Sequence, residues 1–221
     1  MKTKILNFDG LVNVGLYGFV TDKFLLLGQE VNEKYDEVLK EIFQVDIIRM
    51  TIAGTSLIGV FCAGTENKVL VPHIAFDQEL EILKEHGIEY EIIESNITCL
   101  GNNVIVAGEK VLISPKFSLK VTEQIEAALD KEAIRLQLMD IEASASLMAI
   151  RKNNLLTTYN LSDNEVEKLE ELGFNVTTGS IAFGSQYIKA GLLVNTNGLL
   201  VSEQSGGPEV VNAETALGDN N

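Results

Sequence analysis

Four side chains in this sequence have the chemistry to hold a metal or to attack an electrophile: Cys62, His73, His86 and Cys99. A thiolate next to an imidazole can attack carbon while the imidazole relays the proton. Cysteine and histidine together also make zinc ligands. Their separations of 11, 13 and 13 residues fit no compact zinc-finger spacing. Cys62 lies in the apolar run Val60-Phe61-Cys62-Ala63, the setting of a small buried side chain. His73 follows Pro72 and His86 precedes Gly87, so both read as turn and helix-end residues. Gly54 and Gly59 frame no Lys-Ser or Lys-Thr pair, so there is no phosphate loop. Two cysteines in 221 residues make no disulfide framework and fit a reducing cytoplasm.

The charge balance points away from phosphate and toward a basic partner. There are 32 acidic against 17 basic residues, a formal charge of −15. Binding driven by phosphate contacts needs clustered Lys and Arg, and the only adjacent basic pair is Arg151-Lys152. An acidic surface steers instead toward a basic protein. The chain is 46% hydrophobic, enough for a sizeable core. No apolar run reaches the ~18–20 residues that cross a bilayer, and MKTKILNFDG has no apolar segment of signal-peptide length. A protein that is neither exported nor bound to a membrane is expected.

The elements that must position any site repeat along the chain. Leu25-Leu26-Leu27, Val69-Leu70-Val71, Val111-Leu112-Ile113, Leu155-Leu156 and Leu199-Leu200-Val201 begin 44, 42, 44 and 44 residues apart. Each is a short apolar run bounded by turn residues, as in a buried strand. A second apolar segment precedes each across a turn: Val14–Val20, Leu57–Ala63, Val104–Ala107, Leu147–Ile150 and Leu192–Val194. The last turn, Asn195-Thr196-Asn197-Gly198, ends in Asn-Gly, a hairpin signal. Helical patterns follow at Asn32–Phe43, Asp77–Gly87, Thr122–Leu129 and Ser162–Gly173, the last with a capping-box spacing from Ser162 to Glu165. The fifth helix reads as degenerate, begun poorly at Pro208-Glu209-Val210-Val211. Strand-like stretches then close each repeat at Val45–Ile52, Ile88–Cys99, Ala133–Ile141 and Phe174–Ile181. Five ββαβ repeats of about 43 residues predict a single α/β domain over 1–221. Its repeats run roughly 4–49, 50–95, 96–139, 140–183 and 184–221, with 203–221 expected as a loosely ordered tail. Without distinct polar end-caps, a closed five-bladed α/β propeller is expected over an open stack, and a closed ring, having no unfilled edge, predicts a monomer.

Repeat two carries Thr51-Ile52-Ala53-Gly54-Thr55-Ser56-Leu57-Ile58-Gly59, then Cys62-Ala63-Gly64-Thr65-Glu66-Asn67-Lys68-Val69-Leu70-Val71-Pro72 and Asp77-Gln78-Glu79-Leu80. Repeat three carries Leu100-Gly101-Asn102, and repeat five Gly184-Ser185 and Ala190-Gly191-Leu192-Leu193-Val194-Asn195. From about residue 4 to 202 the chain resembles the translation initiation factor 6 family of archaea and eukaryotes. The resemblance implies a pentein-type propeller that binds the large (50S) ribosomal subunit near the sarcin–ricin loop. It implies contact mainly with a basic ribosomal protein, and limited rRNA contact. It further implies steric exclusion of the small subunit and a role in ribosome biogenesis, with no catalysis and no cofactor. Phe183 stands where the family often has arginine. The acidic end, Glu203 to Asn221, lacks the long eukaryotic extension, which favours an archaeal origin and leaves phosphorylation control of that extension out of account.

Loops that open the repeats should emerge at one end of the ring, and binding sites gather on such loops. By the resemblance Asn102 is the foremost contact, with Asn7, Gly54, Asn103, Gly184 and Ser185 beside it; glycine and asparagine there also suit turns with positive φ. The rival enzyme of this fold, a guanidine-modifying one, needs a late nucleophilic Cys and a His. Here no Cys follows Cys99 and no His follows His86. A propeller that binds a non-ribosomal protein is the other rival.

Overall fold

A computed structural model describes residues 1–218. It contains five three-stranded sheets, one per blade. The chain begins with β1 (Lys2–Leu6) and makes a single 3₁₀ turn, Val14–Leu16. Blade 1 then follows as β2 (Gly18–Val20), β3 (Phe24–Gly28), α1 (Asp36–Phe43) and β4 (Asp46–Met50). A helical turn, α2 (Ile58–Phe61), leads into blade 2: β5 (Ala63–Gly64), β6 (Val69–Pro72), α3 (Asp77–Glu85) and β7 (Tyr90–Ile93). The turn α4 (Leu100–Asn103) leads into blade 3: β8 (Val104–Ala107), β9 (Lys110–Ile113), α5 (Leu119–Leu129) and β10 (Glu132–Arg135). The 3₁₀ turn Ser144–Leu147 precedes blade 4: β11 (Met148–Arg151), β12 (Asn154–Thr158), α6 (Asp163–Glu171) and β13 (Asn175–Gly179). The 3₁₀ turn Ile188–Gly191 precedes β14 (Leu192–Val194), β15 (Gly198–Ser202) and α7 (Gly207–Leu217) of blade 5.

The first two strands of each blade are antiparallel, and the central strand pairs in parallel with the third. The central strands β3, β6, β12 and β15 are buried throughout, as their continuous apolar runs require. Blade 5 takes its third strand from the other end of the chain. β1 pairs in parallel with β15, Lys2 opposite Gly198 through Leu6 opposite Ser202. The ring is therefore closed by sheet hydrogen bonds between the two ends of the sequence, and among the described residues the fifth repeat has no third strand of its own.

Three expectations need correction. The continuous strands expected over Val14–Val20 and Leu57–Ala63 each begin as a helical turn. The five helical turns pack on one another in a ring around the axis. Glycine permits this closeness: a Cβ on Gly59 would lie 2.0 Å from the Gly15 carbonyl oxygen, and one on Gly101 2.1 Å from that of Gly59. The fifth helix is not degenerate, since α7 spans 11 residues. Pro208 sits in its first turn, where its missing N–H is no loss, and Val210, Ala213 and Leu217 are buried on one face. The stretch 203–218 is likewise no loose tail. Buried Arg151 donates to the Leu217 carbonyl at 3.1 Å, and Asn154 Nδ2 to that of Gly218 at 2.9 Å. Residues 219–221 lie outside the described residues.

Candidate functional site

Each central strand runs toward the end of the ring where the helices start, and there the axial turns and interblade turns also lie. The six positions singled out in the sequence all fall at this end. Asn7 Oδ1 accepts the Gly10 amide at 2.7 Å, and its Nδ2 donates to the Glu203 carboxylate. Gly54 and Gly184 occupy positive-φ turn positions, φ 73° and 89°. Ser185 Oγ accepts the Tyr187 amide at 3.2 Å. Asn103 is buried, and its Nδ2 donates to the Cys99 carbonyl at 2.9 Å, bracing α4. Asn102, by contrast, is half-buried on the axial turn, and its side chain makes no hydrogen bond among the described residues. Of the six, Asn102 is the side chain with its full hydrogen-bonding capacity open.

The turns are held by a device that recurs at one helix position. Residues Tyr35, Glu79, Val121, Glu165 and Glu209 are equivalent in the five repeats. Glu79 accepts from Thr51 Oγ1 at 2.6 Å and from the amides of Ala53, Gly54 and Phe76 at 2.8, 2.9 and 2.8 Å. Glu209 accepts from Ser180 Oγ at 2.7 Å and from the amides of Phe183, Gly184 and Gly206 at 3.0, 2.8 and 2.8 Å. Glu165 accepts from the Met139 amide at 2.6 Å. It also accepts both the amide and the hydroxyl of Ser162, at 2.9 and 2.7 Å, so the expected capping box forms in its Glu-to-backbone half. In repeat one the Tyr35 hydroxyl accepts the Asp9 amide at 2.9 Å. Each latch ties a helix to the turn that enters its own blade. Burial opposes ionisation of Glu79 and Glu209, but the donated hydrogen bonds outweigh it and hold both carboxyls below their ordinary range. Repeat three departs: the equivalent residue is Val121, whose apolar side chain has no acceptor and cannot make the latch.

Apolar side chains gather at the same end. Phe183 is 88% exposed at the tip of its turn, and Ile74, Phe76, Leu119, Tyr159 and Tyr187 are exposed on neighbouring loops and helix starts. Exposed acids accompany them, namely Asp9, Glu30, Asp140, Glu142 and Glu203, of which Asp9 pairs with Lys34 and Glu142 with Lys116. Exposed apolar and aromatic side chains interspersed with charged ones are the make-up of a protein-docking surface. Sequence reasoning singled out the turn glycines and asparagines and noted Phe183 only as a departure from the family's usual arginine; it missed Ile74, Phe76, Leu119, Tyr159 and Tyr187.

The four Cys and His residues do not converge. His73 follows β6 at the helix-start end, whereas His86 caps the opposite end of α3. Cys62 is buried, and burial pushes its thiol up to about 12, far from a nucleophilic thiolate. No helix among the described residues is long and apolar enough to cross a membrane.

Comparison with known proteins gives a consistent picture. A model of the eIF-6 family matches residues 3–216. Translation initiation factor 6 of Pyrococcus abyssi is 32% identical over 99% of both chains. The protein of the same name from Saccharolobus islandicus is 28% identical over 99% of this chain and 100% of its own. Among solved structures, a dimethylarginine dimethylaminohydrolase (DDAH) from Pseudomonas aeruginosa covers 83% of this chain and 74% of its own, with TM-score 0.56 and 13% identity. The N-terminal domain of ArgZ covers 87% of this chain and 74% of its own, with TM-score 0.54 and 15% identity. At such identities the structural likeness establishes the pentein-type fold and nothing of the chemistry.

Proposed function

Because this chain belongs to the eIF-6 family, we propose that it binds the large ribosomal subunit through the helix-start end of its ring and thereby keeps the small subunit from joining. The partner is a basic ribosomal protein near the sarcin–ricin loop, with limited rRNA contact. The protein acts as a cytoplasmic monomer, without cofactor or catalysis, in initiation and in subunit biogenesis. The observation that carries this reading is the convergence of Asn102 with exposed Phe183, Tyr187 and Phe76 at one end of a rigid ring. Aromatic anchors surrounded by polar groups are the usual energetic centre of such interfaces. Exposed acids around them match a basic partner and raise the association rate.

Co-sedimentation with purified large subunits tests it. Wild-type protein is expected in the large-subunit fraction, with Asn102→Lys and Phe183→Asp each weakening binding by about tenfold or more. Both positions have solvent contact, so melting temperatures are expected to stay close to wild type. Full binding by both variants would remove this face from the interface.

A further inference from the structure

A single amine crosses the axis of the ring. The second residues of the five axial turns are Gly15, Gly59, Gly101, Ala145 and Lys189. Four small residues leave the centre open, and the fifth sends a long cation into it. Lys189 Nζ donates to the Gly101 carbonyl. Blade 5 adjoins blades 1 and 4, so this contact with the turn entering blade 3 spans the axis. No carboxylate lies within ion-pair distance of Lys189 among the described residues. The one titratable group acting on it is the Cys62 thiol beside α2. Burial lowers the amine to about 8, so it is mostly charged at neutral pH, with the Gly101 carbonyl as its hydrogen-bond acceptor.

Beside this amine lies an axial cavity of about 160 Å³. Its walls are the inner strands of the five blades, and Lys189 is its only ionisable side chain. Away from the axial turns, the equivalent positions Val20, Gly64, Val106, Ile150 and Val194 form a collar that is aliphatic in four blades. A closed cavity of roughly 150 Å³ accepts a six-carbon ring in other proteins; the axial pocket has a similar volume but is partly open to solvent. We propose that the axial cavity binds a short-chain monocarboxylate of about six heavy atoms, its carboxylate on Lys189 Nζ and its acyl chain against the aliphatic collar. One cation matches one negative charge, and a dianion such as phosphate would leave a charge uncompensated in the cavity. With a chain charge of −15, weak general attraction of anions is absent, so binding depends on this one amine. The site goes beyond the ribosomal role and does not rest on it.

Calorimetric titration with butyrate at pH 7 tests the site in the intact protein. One butyrate per chain is expected, with affinity reduced at least about tenfold in Lys189→Met. Pentylamine, with the same number of heavy atoms and the opposite charge, is expected not to bind. Affinity should fall as the pH passes about 8, where the amine loses its proton. A second measurement needs only the wild-type chain: butyrate should slow acylation of Lys189 by a small amine-reactive ester and leave exposed Lys4 unaffected. Absence of butyrate binding, equal binding by Lys189→Met, or binding of inorganic phosphate in its place would each overturn the assignment.

Discussion

Glu79 shows how much a single side chain can organise. Its two oxygens accept four hydrogen bonds, three of them from backbone amides in the turn and the helix start. Glu79→Gln keeps the shape but turns one acceptor into an NH₂ group facing N–H donors. A cost of about 1–3 kcal/mol is expected, measured by denaturant unfolding. The pH dependence follows from the same bonds. The folded carboxyl titrates below its ordinary range, so the unfolded chain binds more protons as pH falls. Its stabilisation is complete above the unfolded value of about 4.3 and is lost as pH drops through the lower folded value. Glu209 behaves alike. Glu79→Gln should therefore show a flatter loss of stability below about pH 4 than wild type. Equal acid profiles would mean the latch carries no charge-dependent stabilisation. Phe183, exposed at its turn, makes no comparable contribution to stability, which is why its substitution reads on binding instead.

At the scale of elements, the axial turns are the most demanding feature. Gly59→Ala would put a methyl 2.0 Å from the Gly15 carbonyl oxygen and 2.6 Å from that of Gly18. Backbone cannot yield as a side chain tip does, so a loss of about 1–3 kcal/mol or more is expected, read as a fall in melting temperature. Unchanged stability would mean the turns are less tightly packed than described. These turns were not legible in the sequence. Leu57–Ala63 is an unbroken apolar run, and periodicity alone does not separate a strand from a helical turn over so few residues. The central strands were legible, because burial on both faces leaves an uninterrupted apolar run. The Asn-Gly at 197–198 marked its hairpin for a different reason than the sequence suggested. Gly198 starts β15, and its missing Cβ admits the Ile42 carbonyl, which a Cβ would meet at 2.3 Å. Helix α7 was hidden by its glycine-proline start and small residues, although Val210, Ala213 and Leu217 keep helical spacing. Of the candidate site, the turns were readable from glycine and asparagine. The aromatic content beyond Phe183 was not, because an exposed apolar residue has no periodic signature.

The whole molecule is a ring whose closure depends on β1. That strand pairs with β15 over five residues, from the opposite end of the chain. Removing residues 1–6 would leave β15 with an unpaired edge, which invites association with another chain. The truncated protein is expected to melt lower and to self-associate more than the intact chain, as seen by light scattering. A truncated chain as stable and monodisperse as wild type would contradict closure by this strand. Rigidity of the ring is what would let a face made from several blades act as one steric block. The most direct test of that claim is a gradient experiment with homologous subunits, in which small subunits are added after the protein has met the large ones. The account predicts that the protein migrates with the large subunit and that the joined particle is depleted in proportion to the protein added. Joined particles forming at the usual level, with the large subunit saturated by the protein, would contradict it.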